Sequence, residues 1–195
     1  MKNKEVEIQV EVERIKPLFD LLEAKGEFLY ESRQIDEYYT PAHRNFAAQK
    51  PVAEWLRIRR EDKKSNSITY KNWHYDENGR NMCFCDEYET EIGDSEQAKL
   101  IFNSLNFQKL TIVDKKRRCY RLNDYEIAID EVENLGSFVE LEYKGTDEGA
   151  NVNKITTEMI NFLKNLGVGE ILKNEVGYAY QCLFPDEKIK KYRYK

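Results

Sequence analysis

Hydrophobic and polar residues alternate without a break near the start of the chain. Residues 5–13 read EVEIQVEVE, so that Val6, Ile8, Val10 and Val12 share one face and acidic or amide side chains share the other. A period of two residues is that of a β-strand. The pattern therefore predicts a strand with one apolar and one acidic face, and a closed sheet can place either face inside.

The same alternation recurs along the chain and predicts an antiparallel sheet. Further strands are predicted at 28–39, 55–60, 67–71, 83–92, 110–120, 125–131, directly after a turn at 134–137, and around 178–184. An Asn-Gly pair at 78–79 indicates a hairpin turn. The segment at 40–54 has the proline and polar content of a long connection.

Three segments have the apolar spacing of amphipathic helices. They run over about 17–25, 95–105 and 152–165. Pro17 suits a first helical turn, Asp94 or Ser95 an N-cap, and Gly26 and Gly167 suit helix ends. Strands outnumber helices and no βαβ alternation is present, which predicts an α+β fold.

Composition limits the domain count and the kind of partner. A chain of 195 residues without a Pro/Gly/Ser-rich linker fits one domain, predicted here at 1–186 with a frayed basic tail at 187–195. The net charge of −5 disfavours nucleic acid as a partner. Since no apolar run approaches the about 18 residues that a membrane helix needs, and the N-terminus lacks a signal-peptide core, we expect a cytoplasmic protein without a membrane partner.

Few residues are available for histidine or cysteine chemistry. The chain has only 2 His and 4 Cys, and the cysteines lack CxxC spacing, so free thiols are expected. Any bound metal must then be held by carboxylates. Carboxylate ligands favour a hard cation such as Mg²⁺ or Mn²⁺.

Several strands carry formal charge on the face opposite their aliphatic residues. The acidic members are Glu5, Glu7, Glu87, Glu89, Asp130 and Glu140, and the basic members are Arg57, Arg59, Lys71, Lys115 and Arg117. For any one strand, a solvated face with cross-strand ion pairs is the common explanation. Recurrence over six or more strands favours a charged interior that holds cations and phosphates. No P-loop or kinase Gly-rich loop is present.

The motifs of these charged strands resemble those of the CYTH-domain proteins. This group, the triphosphate tunnel metalloenzymes, includes class IV adenylyl cyclases, thiamine triphosphatases and inorganic triphosphatases. The matching stretches are EVEIQ at 5–9, LRIR at 56–59, TYK at 69–71, ETE at 89–91, KKRRCY at 115–120 and IDEVENLGSFVELE at 129–142. The last of them most resembles the class IV adenylyl cyclase branch.

The resemblance implies a closed eight-stranded antiparallel β-barrel, a tunnel with a charged interior and helices packed outside. It implies Mg²⁺ or Mn²⁺ bound by Glu5, Glu7 and Glu140 with Asp130 assisting, a triphosphate gripped by Arg57, Arg59, Lys71, Lys115, Arg117 and Gln9, and additional lining by Glu87 and Glu89. Lys71, Lys115 and Arg117 are the candidate catalytic residues. The resemblance also suggests a homodimer.

Two positions depart from the family pattern. Gln9 stands where the ExExK strand of the family has a lysine, and Cys85 stands where many relatives have a basic residue. An amide can donate hydrogen bonds but cannot neutralise phosphate charge. Three functions follow as hypotheses: a cyclase that converts ATP to cyclic AMP and pyrophosphate, a triphosphatase acting on tripolyphosphate, thiamine triphosphate or a nucleotide, and a non-catalytic binder of nucleotides or polyphosphate.

Overall fold

The computed structural model describes residues 6–62, 64–75, 82–145, 151–189 and 192–194 and has an α+β fold. Within these residues lie four helices and ten strands. The helices are α1 (Lys16–Lys25), α2 (Ser95–Ser104), α3 (Val152–Asn165) and α4 (Gly177–Leu183). The strands are β1 (Val6–Val12), β2 (Glu27–Thr40), β3 (Glu54–Glu61), β4 (Asn66–Tyr75), β5 (Met82–Ile92), β6 (Gln108–Leu122), β7 (Tyr125–Val132), β8 (Gly136–Tyr143), β9 (Ile171–Lys173) and β10 (Tyr192–Arg193).

The strands hydrogen-bond in the order β10-β9-β1-β8-β7-β6-β2-β3-β4-β5. Neighbouring strands such as β1 and β8 or β7 and β8 are antiparallel, as the sequence predicts. The described residues give ten strands where the resemblance implied eight, because β9 and β10 were not foreseen. Closure of the sheet into a tunnel stays a prediction.

The predicted helices and the first eight strands are confirmed, with ends that differ by a few residues. Helix α3 covers its predicted span, and Gly167 follows it with a φ of 72°. Asp94 caps α2 by accepting hydrogen bonds from the backbone N–H groups of Glu96 and Gln97. The predicted Asn-Gly turn at 78–79 lies outside the described residues.

The strand predicted around 178–184 is wrong, because this segment forms helix α4. The aromatic content of the segment suggested a strand. Phe184 directly follows α4, and its backbone N–H donates to the Tyr180 carbonyl at 2.9 Å. The rings of Tyr180 and Phe184 pack with centroids 4.8 Å apart. The ammonium of Lys50 lies 4.3 Å from the Phe184 ring centroid, which is a cation–π contact.

The C-terminal tail, predicted to fray over 187–195, contains the short strand β10. Tyr192 pairs with Lys173 and Arg193 pairs with Leu172 on β9. Strand β9 in turn pairs with β1, where Val12 lies opposite Ile171.

The chain divides into two compact units, each with its own core. The first comprises Met1–Ser32, Lys115–Gly177 and Asp186–Lys195, and the second comprises Arg33–Asp114 and Tyr178–Pro185. Strands β2 and β6 contribute residues to both. The assignment of the chain to a single domain stays a prediction.

The core of the first unit lies between the aliphatic face of its strands and two helices. Val10 of β1 and Val139 of β8 are fully buried there with Leu18 of α1 and Met159 and Leu163 of α3. Burying one such side chain contributes about 1.5–3 kcal/mol. The aliphatic face of β1 is thereby covered by helices, and its polar face is left for other contacts.

The second unit has a smaller core in which α2 covers β2 and β3. Ile58, Tyr39 and Ala98 are buried there, and Phe102 packs edge-on against the ring of Tyr39 at 5.2 Å. No helix among the described residues is long and apolar enough to cross a membrane.

Candidate functional site

The polar face of the first unit's strands brings five of the predicted site residues together. Gln9 on β1 lies directly opposite Glu140 on β8, and Arg117 on β6 lies opposite Asp130 on β7. Glu140 lies opposite Ala128 on β7. Because the Ala128 side chain is small, the Arg117 side chain extends past it from β6 to Glu140 on β8. We call Gln9, Lys115, Arg117, Asp130 and Glu140 the first cluster.

Asp130 is the buried centre of the first cluster. Its side chain is fully buried, and both carboxylate oxygens accept hydrogen bonds. Arg117 donates from Nε to Oδ1 and from Nη2 to Oδ2, both at 2.7 Å, and Lys115 donates from Nζ to Oδ2 at 2.9 Å. Burial alone would raise the pKa of Asp130, but the charges of Lys115 and Arg117 outweigh it and hold this pKa well below its ordinary value.

Lys115 is itself only 4% exposed. Its ammonium lies against Asp130 inside the unit, whereas Arg117 continues past Asp130 toward Glu140. The geometry therefore gives the two basic residues different surroundings. Arg117 contacts both carboxylates of the cluster.

Glu140 connects the charged and the neutral parts of the cluster. Its Oε2 accepts from Arg117 Nη2 at 3.0 Å and from Gln9 Nε2 at 3.1 Å. Burial favours the protonated acid, but Arg117 and Lys115 overcome this effect and lower the pKa of Glu140. Within the described part of the chain no donor bonds to Oε1, so that one oxygen of a charged carboxylate remains as an acceptor.

Gln9 is held from its other side by Asn174, which follows β9. Asn174 Nδ2 donates to Gln9 Oε1 at 2.7 Å, and the Asn174 backbone N–H donates to the Gln9 carbonyl at 2.9 Å. The Oδ1 of Asn174 accepts from the backbone N–H of Gly177 at 3.2 Å. Asn174 was not foreseen from the sequence, since no pattern connects it with a residue 165 positions away.

The carboxylates of the first unit can contribute to a metal site without forming a complete one. Glu7 lies on the same polar face of β1 as Gln9, opposite Glu142 and diagonal to Glu140. The described residues contain no group of three or more His, Cys, Asp or Glu side chains that could hold a metal ion. Glu5, the remaining predicted ligand, lies outside the described residues. Mg²⁺ commonly binds through one or two carboxylates together with substrate phosphates, which Glu7 and Glu140 fit.

The second unit contains its own set of charged residues around the buried Asp36. Arg59 donates to the two oxygens of Asp36 at 2.6 and 2.7 Å, and Arg57 donates to Oδ2 at 3.4 Å. Burial opposes the charge of Arg57, yet Asp36 raises its pKa further. Burial and the charge of Asp36 likewise raise the pKa of Tyr38, which lies opposite Arg57 in the sheet. Asp36 thus fixes both predicted phosphate-binding arginines.

One cross-strand row extends this set to β4 and β5. Arg57 lies opposite Thr69, which lies opposite Glu89. Arg57 Nε donates to Thr69 Oγ1 at 3.2 Å, and Thr69 Oγ1 donates to Glu89 Oε2 at 2.6 Å. Burial opposes ionisation of Glu89, but the Thr69 hydroxyl and Arg57 lower its pKa.

Lys71 and Glu87 form the next row on the same face. Their Nζ and Oε2 atoms are 2.8 Å apart, and both side chains are about one-third exposed. We call Asp36, Arg57, Arg59, Thr69, Lys71, Glu87 and Glu89 the second cluster. Asp36 and Tyr38 were missed in the sequence, because IDEYY in β2 shows no clear alternation and their contacts depend on the register with β3.

The cysteines take no part in either cluster as charged groups. Cys85, Cys119 and Cys182 are free thiols, as expected, and the Cys83 side chain lies outside the described residues. Burial raises the pKa of Cys85 and that of Cys119, the latter to about 12. These thiols are therefore poor thiolate nucleophiles at neutral pH.

Comparison with known proteins identifies one family over most of the chain. The CYTH domain model matches residues 3–178. A Methanocaldococcus jannaschii protein, named as a candidate adenylate cyclase, is 33% identical over 167 residues, which are 85% of this chain and 91% of the relative.

Two solved structures illustrate the similarity in fold. A Pyrococcus horikoshii protein is 26% identical with a TM-score of 0.70, covering 94% of this chain and all of the other. A Hippeastrum protein, named as a candidate adenylyl cyclase with a dominant triphosphatase activity, is 18% identical with a TM-score of 0.66, covering 95% of this chain and 98% of its own.

Proposed function

Because the chain belongs to the CYTH domain family, we propose that it is a metal-dependent nucleoside-triphosphate enzyme of the class IV adenylyl cyclase type. In this reaction ATP is converted to cyclic AMP and pyrophosphate. The observation that carries the proposal is the first cluster, in which Arg117 is held by the buried Asp130 while Glu140, among the described residues, keeps Oε1 as an acceptor.

The arginines and Lys71 are the proposed phosphate-binding groups. Arg59 uses Nε and Nη2 on Asp36, and Arg117 uses the same two atoms on Asp130, so each guanidinium is oriented before a ligand arrives. A pre-oriented guanidinium loses less entropy when it binds a phosphate oxygen. Lys115, buried against Asp130, supports this geometry from within.

Glu7 and Glu140 are the proposed metal ligands, with Glu5 as a further candidate. A Mg²⁺ or Mn²⁺ ion bound with the nucleotide would neutralise phosphate charge and polarise the phosphoryl group. Asp130 would act on this site indirectly, since its two oxygens already accept three hydrogen bonds from Arg117 and Lys115.

The proposed chemistry is an in-line displacement at the α-phosphorus. The ribose 3′ oxygen forms a bond to that phosphorus as the bond to the α–β bridging oxygen breaks, and the 3′ proton passes to solvent. Pyrophosphate leaves with its charge against the basic residues. From the family resemblance, Glu87 and Glu89 are proposed as additional lining residues.

A triphosphatase is the second candidate, in which water attacks the terminal phosphorus. It is compatible with the side chains of the clusters, since arginine, lysine and carboxylate groups such as Arg59, Lys71 and Glu140 suit phosphate oxygens and hard cations. The triphosphatase activity in the name of the Hippeastrum relative points the same way. A non-catalytic polyphosphate binder is the third candidate, favoured by the neutral Gln9.

Product analysis separates these candidates. The protein is incubated with ATP and Mg²⁺ or Mn²⁺: cyclic AMP with pyrophosphate supports the cyclase, free phosphate the triphosphatase, and binding without turnover the binder. Glu140→Gln and Lys71→Ala should each abolish turnover, because they remove a metal ligand and a phosphate-binding cation. Glu158→Gln, an exposed change on α3, is the matched control. Full activity in both test variants would refute the proposed site.

A further inference from the structure

The Gln9 amide can face its neighbours in only one way, and a backbone group decides which. The N–H of Gly177 is a donor whose identity is fixed, so the oxygen of the Asn174 amide must face it. The Nδ2 of Asn174 then points to Gln9 and requires the Gln9 oxygen there. The remaining Gln9 atom, Nε2, consequently donates to Glu140.

The reverse orientation of either amide would be unfavourable. If Asn174 were flipped, its NH₂ group would face the Gly177 N–H, and two donors would meet. If Gln9 were flipped, its carbonyl oxygen would face the Glu140 carboxylate. Either flip would leave a half-buried donor or acceptor without its hydrogen bond, which is unfavourable.

We propose that Asn174 is a positioning residue that orients the Gln9 amide toward Glu140. The inference rests on the proposed function for its effect on ligand binding. Through Gln9, Asn174 secures a donor on Glu140 Oε2 and so directs the other oxygen, Oε1, to the bound ligand. The ligand class is a metal-complexed polyphosphate, for which Glu140 supplies a hard oxygen donor.

Asn174 also explains how this chain accommodates glutamine in place of the family lysine. A lysine at position 9 would bring an ammonium group, which can only donate, against the donor Nδ2 of Asn174. Asn174 is therefore matched to the glutamine and mismatched to a lysine at the same position. An aspartate at position 174 should have the opposite preference.

The first test uses neutral substitutions and binding of inorganic tripolyphosphate with Mn²⁺, measured by calorimetry. Asn174→Ala should weaken binding about tenfold, the loss of one well-placed hydrogen bond. Gln9→Met should weaken it at least as much, and the double variant should bind no more weakly than Gln9→Met alone, because Asn174 acts through Gln9. Additive effects, or an Asn174→Ala protein that binds like the wild type, would overturn the positioning role.

The second test needs no ligand. In the protein with Gln9, Asn174→Asp should lower the urea midpoint, because an aspartate forces the Gln9 amide to flip. In a Gln9→Lys protein the same substitution should raise the urea midpoint, because the aspartate provides an acceptor for the lysine ammonium. Asn161→Asp, which makes the same charge change at an exposed position of α3, is the control and should shift both backgrounds alike. A shift of the same sign for Asn174→Asp in both backgrounds would overturn the proposed orientation.

The two tests fail separately. A wild-type protein that binds no tripolyphosphate under any metal condition would refute the proposed function, whereas the urea midpoints would still decide the orientation of Gln9. If the shift in urea midpoint has opposite signs in the two backgrounds, but the binding effects of Asn174→Ala and Gln9→Met are additive or absent, Asn174 contributes to stability only. That result would overturn its positioning role.

Discussion

Arg117 and Asp130 lie opposite each other on β6 and β7 and are joined by two parallel hydrogen bonds of 2.7 Å. Such a bidentate pair is both directional and strong. Asp130 is fully buried, and the positive charges of Arg117 and Lys115 lie directly against its carboxylate.

Removal of the Asp130 charge should destabilise the protein. Asp130→Asn takes away the carboxylate that balances the ammonium of Lys115, a side chain that is only 4% exposed. Loss of one partner from a buried ion pair costs about 3–5 kcal/mol. Urea denaturation at neutral pH measures this loss, with the exposed Glu131→Gln on the same strand as the control. A cost equal to that of the control would contradict the assignment of Asp130 as the buried centre.

The stability that Asp130 contributes should disappear in acid. Its pKa is lower in the folded than in the unfolded protein, so its contribution is complete above the unfolded value of about 3.9 and is lost as the pH falls toward the folded value. The difference in unfolding free energy between wild type and Asp130→Asn should therefore shrink by up to about 1.4 kcal/mol per pH unit below about pH 4. Denaturation series from neutral pH to about pH 2.5 check this sign, and a difference that stays constant or grows would contradict it.

Asp36 should have a corresponding role for the arginines of the second cluster. Asp36→Asn leaves Arg57 and Arg59 without their shared carboxylate and should cost about 3 kcal/mol. A phosphate ligand could then supply the missing negative charge. The melting temperature should consequently rise more on addition of tripolyphosphate in Asp36→Asn than in the wild type. An equal or smaller rise would argue against phosphate binding by these arginines.

Gln9→Lys should change the reaction. The new ammonium would add positive charge beside Glu140, so turnover of ATP or the phosphorus attacked should differ from the wild type. Steady-state kinetics and product analysis measure both quantities. Gln97→Lys, which adds the same charge on the exposed face of α2, is the control. Unchanged kinetics and products in Gln9→Lys would count against a functional role for the substitution.

Local patterns were sufficient for most elements and for the identity of the charged residues. The alternation in β1 assigns Val6, Ile8 and Val10 to the core, where all three are buried. The apolar spacing of α3 gives its span without error. Each of these features is encoded in neighbouring residues, because a helix or strand exposes its faces at a fixed period.

The aromatic segment of α4 shows where local patterns fail. Its composition suggested a strand, but the ring of Phe184 packs on Tyr180 one helical turn away and against Lys50 from a distant loop. Tertiary contacts override a weak intrinsic preference. Strand β9 has only 3 residues, too few to show an alternation. Its pairing with β1 defines it as a strand.

The sequence by itself determined that charged faces exist and which residues carry them, Glu140 and Arg117 among them. Only the tertiary structure decided how these charges are paired: Asp36 lies between two arginines, and Asn174 meets Gln9 from the far end of the chain. The physical reason is that a hydrogen bond needs its two partners within about 3 Å. That distance depends on strand register and on connections over many residues, which the period of a single strand does not encode.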